Sequence, residues 1–294
     1  TYVYPLVRNI LLPAPKPTEI AVVSTPSEPT EIPATPVAVE NPAETPDTFM
    51  TPTSAPTSVA MSTPAVVIPK VSFVDINDNF AKDYIIALQR LGIFKDIEGN
   101  KFKPYDKITR GQYARWLVTS ANILCPEQAI TKSMAILSKN YYEDVQPNYS
   151  DFTYIQFLHD RGYIVGIDGT HFEPDKELTR EELMMMRCSF EYNIQYTDIR
   201  NMDPEKSVAD LQNYFRDPND INKSYLVSFY KDMAPGFPVL NRTFGGIKKI
   251  YPKAHVTRSE AAASLGEILG QSAEKFIENL LSSTSKPDST TPDR

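Results

Sequence analysis

Apolar residues recur at helical spacing in three separate stretches of the chain, each closed by a glycine. Phe80, Tyr84, Leu88 and Leu91 lie four, four and three apart and predict one apolar helix face, with Gly92 as its C-terminal stop. Phe152, Ile155 and Leu158 predict a second helix ending at Gly162. Tyr225, Leu226, Phe229, Tyr230 and Met233 predict a third, stopped by Pro235-Gly236. Downstream of each lies a partner stripe: Tyr113, Leu117, Ala121 and Leu124; Leu183, Met186 and Phe190; Ala261, Leu265, Ile268 and Leu269. A pair of helices this short cannot bury both stripes alone, whereas three stacked pairs can share one core. The expected fold is all-α, three helix-loop-helix units over about residues 71–125, 140–195 and 213–270.

Ordered marks bind these units into one repeat. Thr109-Arg110, Thr179-Arg180 and Thr257-Arg258 each follow a proline by five residues, in Phe102-Lys103-Pro104, Phe172-Glu173-Pro174 and Tyr251-Pro252. Upstream stands an aromatic-x-Asp: Phe73-Val74-Asp75, Tyr142-Glu143-Asp144 and Phe215-Arg216-Asp217. The Asp-to-Arg separations are 35, 36 and 41 residues. Thr179-x-x-Glu182 and Thr257-x-x-Glu260 have capping-box spacing, and Thr109-x-x-Gln112 has it with an amide. Thr109, Thr179 and Thr257 are therefore expected as helix caps. A box needs no arginine. Arg110, Arg180 and Arg258 either pair with the upstream Asp75, Asp144 and Asp217, or line a groove that holds an anionic or polyhydroxylated ligand.

Composition divides the chain further. Fourteen of the 25 prolines fall in residues 1–70, which contain no glycine or cysteine. Such a stretch buries too little apolar surface to offset the entropy of folding, and reads as an extended, polyproline-like arm. Tyr2, Tyr4, Leu6, Ile10, Leu11 and Leu12 are apolar exceptions near its start, either a frayed end or a docking peptide. The globular part is expected over 71–281, and Ser282–Arg294 as a polar tail.

The net charge of −7 opposes a nucleic-acid partner. No apolar run reaches the length of a membrane span, which leaves a peripheral membrane association open. Cys125 and Cys188 suggest neither a disulfide framework nor a metal site; each reads as core filler or, alternatively, as the anchor of a thioether-linked pigment. His159, His171 and His255 occupy unrelated places in their units, and no phosphate loop or metal spacing occurs. No catalytic function and no cofactor are expected. A start at Thr1 without a signal peptide fits a removed presequence.

The aromatic-x-Asp, Gly92-Ile93, Phe-x-Pro and Thr-Arg elements together resemble the S-layer homology family over about residues 71–270. That resemblance implies a pseudo-threefold helical prism and ligand grooves around Arg110, Arg180 and Arg258, with Asp75, Asp144 and Asp217 beside them. The wording of Ile108-Thr109-Arg110-Gly111-Gln112-Tyr113-Ala114-Arg115-Trp116 and of Phe244-Gly245-Gly246 is similar to divergent cyanobacterial and plastid members. This similarity implies a chloroplast protein on the thylakoid. Gly111-Gln112 in place of the family's Ala-Glu, a long Pro235–Lys253 loop and a reduced glycine stretch at Gly99 weigh against conventional wall-polymer binding in units 1 and 3. The function then expected is a structural linker, its prism docking on one protein of a large antenna–photosystem type complex and its arm stapling others. The alternative is a glycan-binding anchor on a bacterial cell surface, attached to wall polysaccharide.

Overall fold

The structure is a computed structural model that describes residues 73–126 and 140–284. The chain divides into two units, Thr1–Ala65 and Val66–Arg294, and every described residue belongs to the second. The arm, with Tyr2, Tyr4, Leu6, Ile10, Leu11 and Leu12, lies outside the described residues.

Unit 1 contributes α1 (Lys82–Arg90) and α2 (Arg110–Leu124), and unit 2 contributes α3 (Phe152–Asp160) and α4 (Arg180–Tyr192). Two short helices follow, α5 (Tyr196–Asn201) and α6 (Pro204–Leu211). Unit 3 holds α7 (Leu226–Met233), α8 (Pro238–Phe244) and α9 (Arg258–Leu265). A hairpin of β1 (Glu267–Ile268) and β2 (Gln271–Ser272) then leads to α10 (Ala273–Thr284). The helical reading holds for all three units. The short antiparallel hairpin, α5, α6, α8 and α10 had no counterpart in the apolar stripes.

Two stripes run differently from their spacing. Phe80 is 62% exposed and precedes α1, because the Asn79 side chain accepts from the Ala81 amide and turns the chain just before the helix. Ala81, Ile85 and Leu88 supply the buried face instead. The last stripe does not stay helical: α9 stops at Leu265, Ile268 is buried in β1, and Leu269 takes a left-handed φ of 50° in the turn. Ser282, expected in the frayed tail, lies in the last turns of α10.

A closed cycle of packing joins the units. The second helix of each unit packs on the first helix of the next: α2 on α3, α4 on α7, and α9 back on α1. At the centre, three buried residues hand one backbone bond around: Leu178 N–H to the Ile108 carbonyl (2.9 Å), Val256 to Leu178 (2.8 Å), and Ile108 to Val256 (3.1 Å). A second layer repeats the pattern, with Arg110 N–H donating to Lys176 O, Arg180 to Ala254 O and Arg258 to Asp106 O. In a third layer Gly111 donates to Pro174 O, Glu181 to Pro252 O and Ser259 to Pro104 O. Buried backbone groups need partners, and here each unit's loop satisfies its neighbour's. Trp116, Phe102, Phe172, Leu183, Phe229 and Leu265 are fully buried in the core.

Candidate functional site

The aspartates of the aromatic-x-Asp marks face their own units. Asp75 accepts from the Phe102 and Lys103 amides, both at 2.8 Å. Asp144 accepts from Phe172 and Glu173 at 2.9 and 2.6 Å, and Asp217 from Ile250 and Tyr251 at 2.7 Å each. The second amide in each pair belongs to a residue with φ of 55°: Lys103, Glu173 or Tyr251. A left-handed φ is costly for a non-glycine residue, and two charge-assisted hydrogen bonds hold it in place. Ile250, not Tyr251, is thus the counterpart of Phe102 and Phe172. Tyr251 stands in the strained position and is 53% exposed.

The threonines sit at N-caps. Thr179 and Thr257 form complete boxes with Glu182 and Glu260. Thr109 accepts from the Gln112 amide at 3.2 Å, but the Gln112 side chain is turned away.

Each arginine at a helix start crosses into the next unit rather than pairing with its upstream aspartate. Arg110 Nε donates to the Phe172 carbonyl (2.8 Å), and its Nη1 lies 2.9 Å from Glu182 Oε1. Its guanidinium also covers the Phe172 ring at 4.5 Å. The side chain is 2% exposed. Arg180 repeats this one unit on: Nη1 donates to the Ile250 carbonyl (3.0 Å), Nη2 meets Glu260 Oε1 (2.7 Å), and the group covers Phe244. Arg258 donates from Nη1 to the Phe102 carbonyl at 3.2 Å, and there the series breaks. Its acidic counterpart would be at position 112, which is Gln112. No carboxylate among the described residues pairs with Arg258.

Other charges crowd the junction of units 1 and 2. Asp96 accepts from Gln112 Nε2 (2.6 Å), Arg115 Nη2 (3.0 Å) and Trp116 Nε1 (2.9 Å). Arg115 Nη1 lies 2.9 Å from buried Asp151, close as a charge but not aligned as a hydrogen bond. Burial holds the Asp151 carboxyl above its usual range, with Arg115 opposing. A Cβ on Gly111 would lie 3.1 Å from the Pro174 carbonyl and 3.2 Å from Asp151 Oδ2, so glycine lets this junction close.

The remaining candidates stay apart. His159 stacks on Tyr141 at 3.9 Å, and burial lowers its pKa. His171 pairs with Asp168 in an exposed turn, and His255 with Glu177. Cys125 and Cys188 are both buried; the Cys125 thiol donates to the Ile268 carbonyl at 3.7 Å, and burial pushes the Cys188 thiol well up. Met184, Met185 and Met186 are core. No cluster of metal-ligating side chains occurs among the described residues, and no described helix is long and apolar enough to cross a membrane.

Comparison with known proteins fits this repeated geometry. Residues 72–114 and 141–184, which span most of units 1 and 2, match the S-layer homology domain family. Those two segments are S-layer homology domain repeats. The chain is also 26% identical over 220 residues to Exoglucanase XynX of Acetivibrio thermocellus, an alignment covering 71% of this chain and 17% of that protein. The chain thus spans less than a fifth of the curated relative it matches.

These findings overturn the expected chloroplast and thylakoid setting, and photosynthesis with it. The S-layer homology match and the bacterial relative point to a bacterial cell surface. The wording behind the plastid expectation has local causes. Gly111 is required by Pro174 and Asp151, and Gln112 and Trp116 both serve Asp96. Gly111 reports a contact between units 1 and 2, and Gln112 and Trp116 report contacts inside unit 1, rather than a compartment.

Proposed function

We propose that this chain is a non-catalytic cell-surface anchor that holds wall polysaccharide in the seams between its repeats. The observation that carries the reading is the S-layer homology match across units 1 and 2, joined to a third unit built alike. Unit 3 has the same aspartate clamp at Asp217, the same box at Thr257 and the same cross-unit bonds. We read it as a third repeat, and the three as a prism closed around Ile108, Leu178 and Val256. A module that aligns to only 17% of an exoglucanase is suited to attaching other things to a surface. Guanidinium groups at every seam suit a ligand with acidic and hydroxyl groups.

Co-sedimentation with cell walls of the source organism tests this. The full chain is expected to pellet with native walls and to stay in solution once the non-peptidoglycan polysaccharide is stripped away. Equal pelleting with stripped walls would overturn the anchor reading.

A further inference from the structure

Beyond the far end of α4, away from the arginines, the chain builds a cavity of a different kind. α5 takes no part in the packing cycle that closes the three units, and none of its residues is fully buried. It is tied down by Asp198, which accepts from the Gln195 amide at 2.8 Å and lies 3.2 Å from Lys231 of α7. Between the two helices is a cavity of about 260 Å³. Thr197, Asp198 and Asn201 line it from α5, and Val227, Tyr230 and Lys231 from α7, at the three- and four-residue spacings that place side chains on one helix face. Met202, just past the end of α5, completes the lining.

That lining is amphipathic and carries no net charge. Val227 is buried, and Met202 and Tyr230 are half-buried, so they offer apolar surface and one aromatic ring. Asp198 and Lys231 neutralise each other. The Thr197 hydroxyl, the Asn201 carboxamide and the Tyr230 hydroxyl make no hydrogen bond among the described residues. A neutral polyhydroxylated ring suits this combination, because its C–H face stacks on a tyrosine while its hydroxyls meet the polar edge. Pockets for drug-sized ligands run to about 300–1,000 Å³, so this one has the size for a single sugar residue. The seams differ in both charge and place. Arg180 opens α4, whereas α5 begins beyond its other end, roughly 18 Å along the helix at 1.5 Å per residue.

We propose that the cavity between α5 and α7 binds one uncharged sugar residue, with Tyr230 as its stacking surface and Asn201 and Thr197 as its hydroxyl partners. The site is separate from the arginine seams and selects against charge instead of for it. The proposal rests on the surface-anchor reading for the source of that sugar, a neutral residue of a wall glycan.

The test uses the full chain with methionine methyl groups labelled for NMR. There are eight methionines, and the Met202 signal is identified by its loss in Met202→Leu. The probes are the methyl glycosides of glucose, mannose and N-acetylglucosamine, with glycerol, sodium galacturonate and a proline-rich peptide as controls. The expected result is a saturable Met202 shift with at least one neutral glycoside and none with the controls. Tyr230→Ala should weaken that binding about tenfold, Tyr230→Phe should keep most of it, and Asn201→Ala, at an exposed position, should weaken it several-fold. No response to any glycoside, an equal response to glycerol or galacturonate, a response to the peptide alone, or undiminished binding by folded Tyr230→Ala would each overturn the proposal. Pelleting with native walls by a chain that binds no glycoside removes this proposal and leaves the anchor. Glycoside binding that Tyr230→Ala abolishes, in a protein indifferent to walls, removes the anchor and keeps the sugar site.

Discussion

The seams flanking unit 2 and the seam that returns unit 3 to unit 1 are built on one backbone plan with different side chains. The first two neutralise a guanidinium with a glutamate from the next helix. The third leaves Arg258 unmatched and closes by shape: Gly266 packs against the Tyr84 ring of α1, and α10 lies along α1 from beyond the hairpin. Units 1 and 2, and units 2 and 3, are neighbours in sequence. Units 3 and 1 are not, and their seam holds by packing, backbone bonds and side-chain hydrogen bonds such as Ser259 Oγ to the Pro104 carbonyl and Tyr113 to Ser264, with no ion pair between Arg258 and a carboxylate among the described residues. Holding the units together and neutralising the arginines are therefore separable tasks.

The comparison can be broken most severely at its charged end. Glu182→Ala would strand Arg110 in a site where it is 2% exposed and would open the α4 capping box. Breaking a buried pair from one side costs about 3–5 kcal/mol. Gln112→Ala removes only a hydrogen bond to Asp96, about 1 kcal/mol. Urea unfolding of the two variants should separate them clearly; equal losses would mean that the seams are not distinguished by charge.

At the shape-closed seam the corresponding lesion is Gly266→Ala. A Cβ there would lie 2.2 Å from Tyr84 Cδ1, so the ring or α1 must move, at about 1–3 kcal/mol. Thermal unfolding should show this loss, and Tyr84→Ala in the same chain should relieve the clash. If Gly266→Ala melts like the parent, α1 and α9 are not in the contact described.

The caps sharpen the same contrast on a smaller scale. Thr179→Ala and Thr257→Ala should each cost about 1 kcal/mol, since each loses a reciprocal box. Thr109→Ala should cost about half as much, because Gln112 does not return the bond. A loss at Thr109 as large as at the others would show that the box in unit 1 closes in solution.

The smallest effect lies in pH. Burial lowers the His159 pKa below its ordinary 6.5. The unfolded chain therefore takes up the proton first, so this contribution to stability is present above pH 6.5 and is lost as pH falls through and below it. His159→Phe, which keeps a ring against Tyr141, should flatten the unfolding midpoint in that window. Asp151 and Asp232, both raised by burial, act in the opposite sense at more acid pH. A midpoint that still falls just below pH 6.5 in His159→Phe would assign the slope elsewhere.

Much of the scaffold was legible because its signals are local. A threonine three residues before a glutamate caps a helix through bonds within one turn, and apolar spacing of three and four defines a face within one helix. The aspartates were visible as marks but not as clamps, since their partners lie 27 to 34 residues away. The Phe80 stripe misled because the Asn79 turn competes with the helix at that point. The arginines gave the least away. Both readings open to them, an upstream aspartate or a ligand, omitted the glutamate of the following unit, which is 72 residues from Arg110 and 80 from Arg180.

By itself the sequence determined that this protein is a helical repeat with three capped units and a proline-rich leading segment, because periodicity and capping act over a few residues. Only the tertiary structure decided that unit 3 returns to unit 1, that each arginine reaches into the following unit, and that Arg258 meets no carboxylate among the described residues. Those outcomes depend on which side chains the closed cycle brings within hydrogen-bonding distance, and spacing along the chain does not encode that distance.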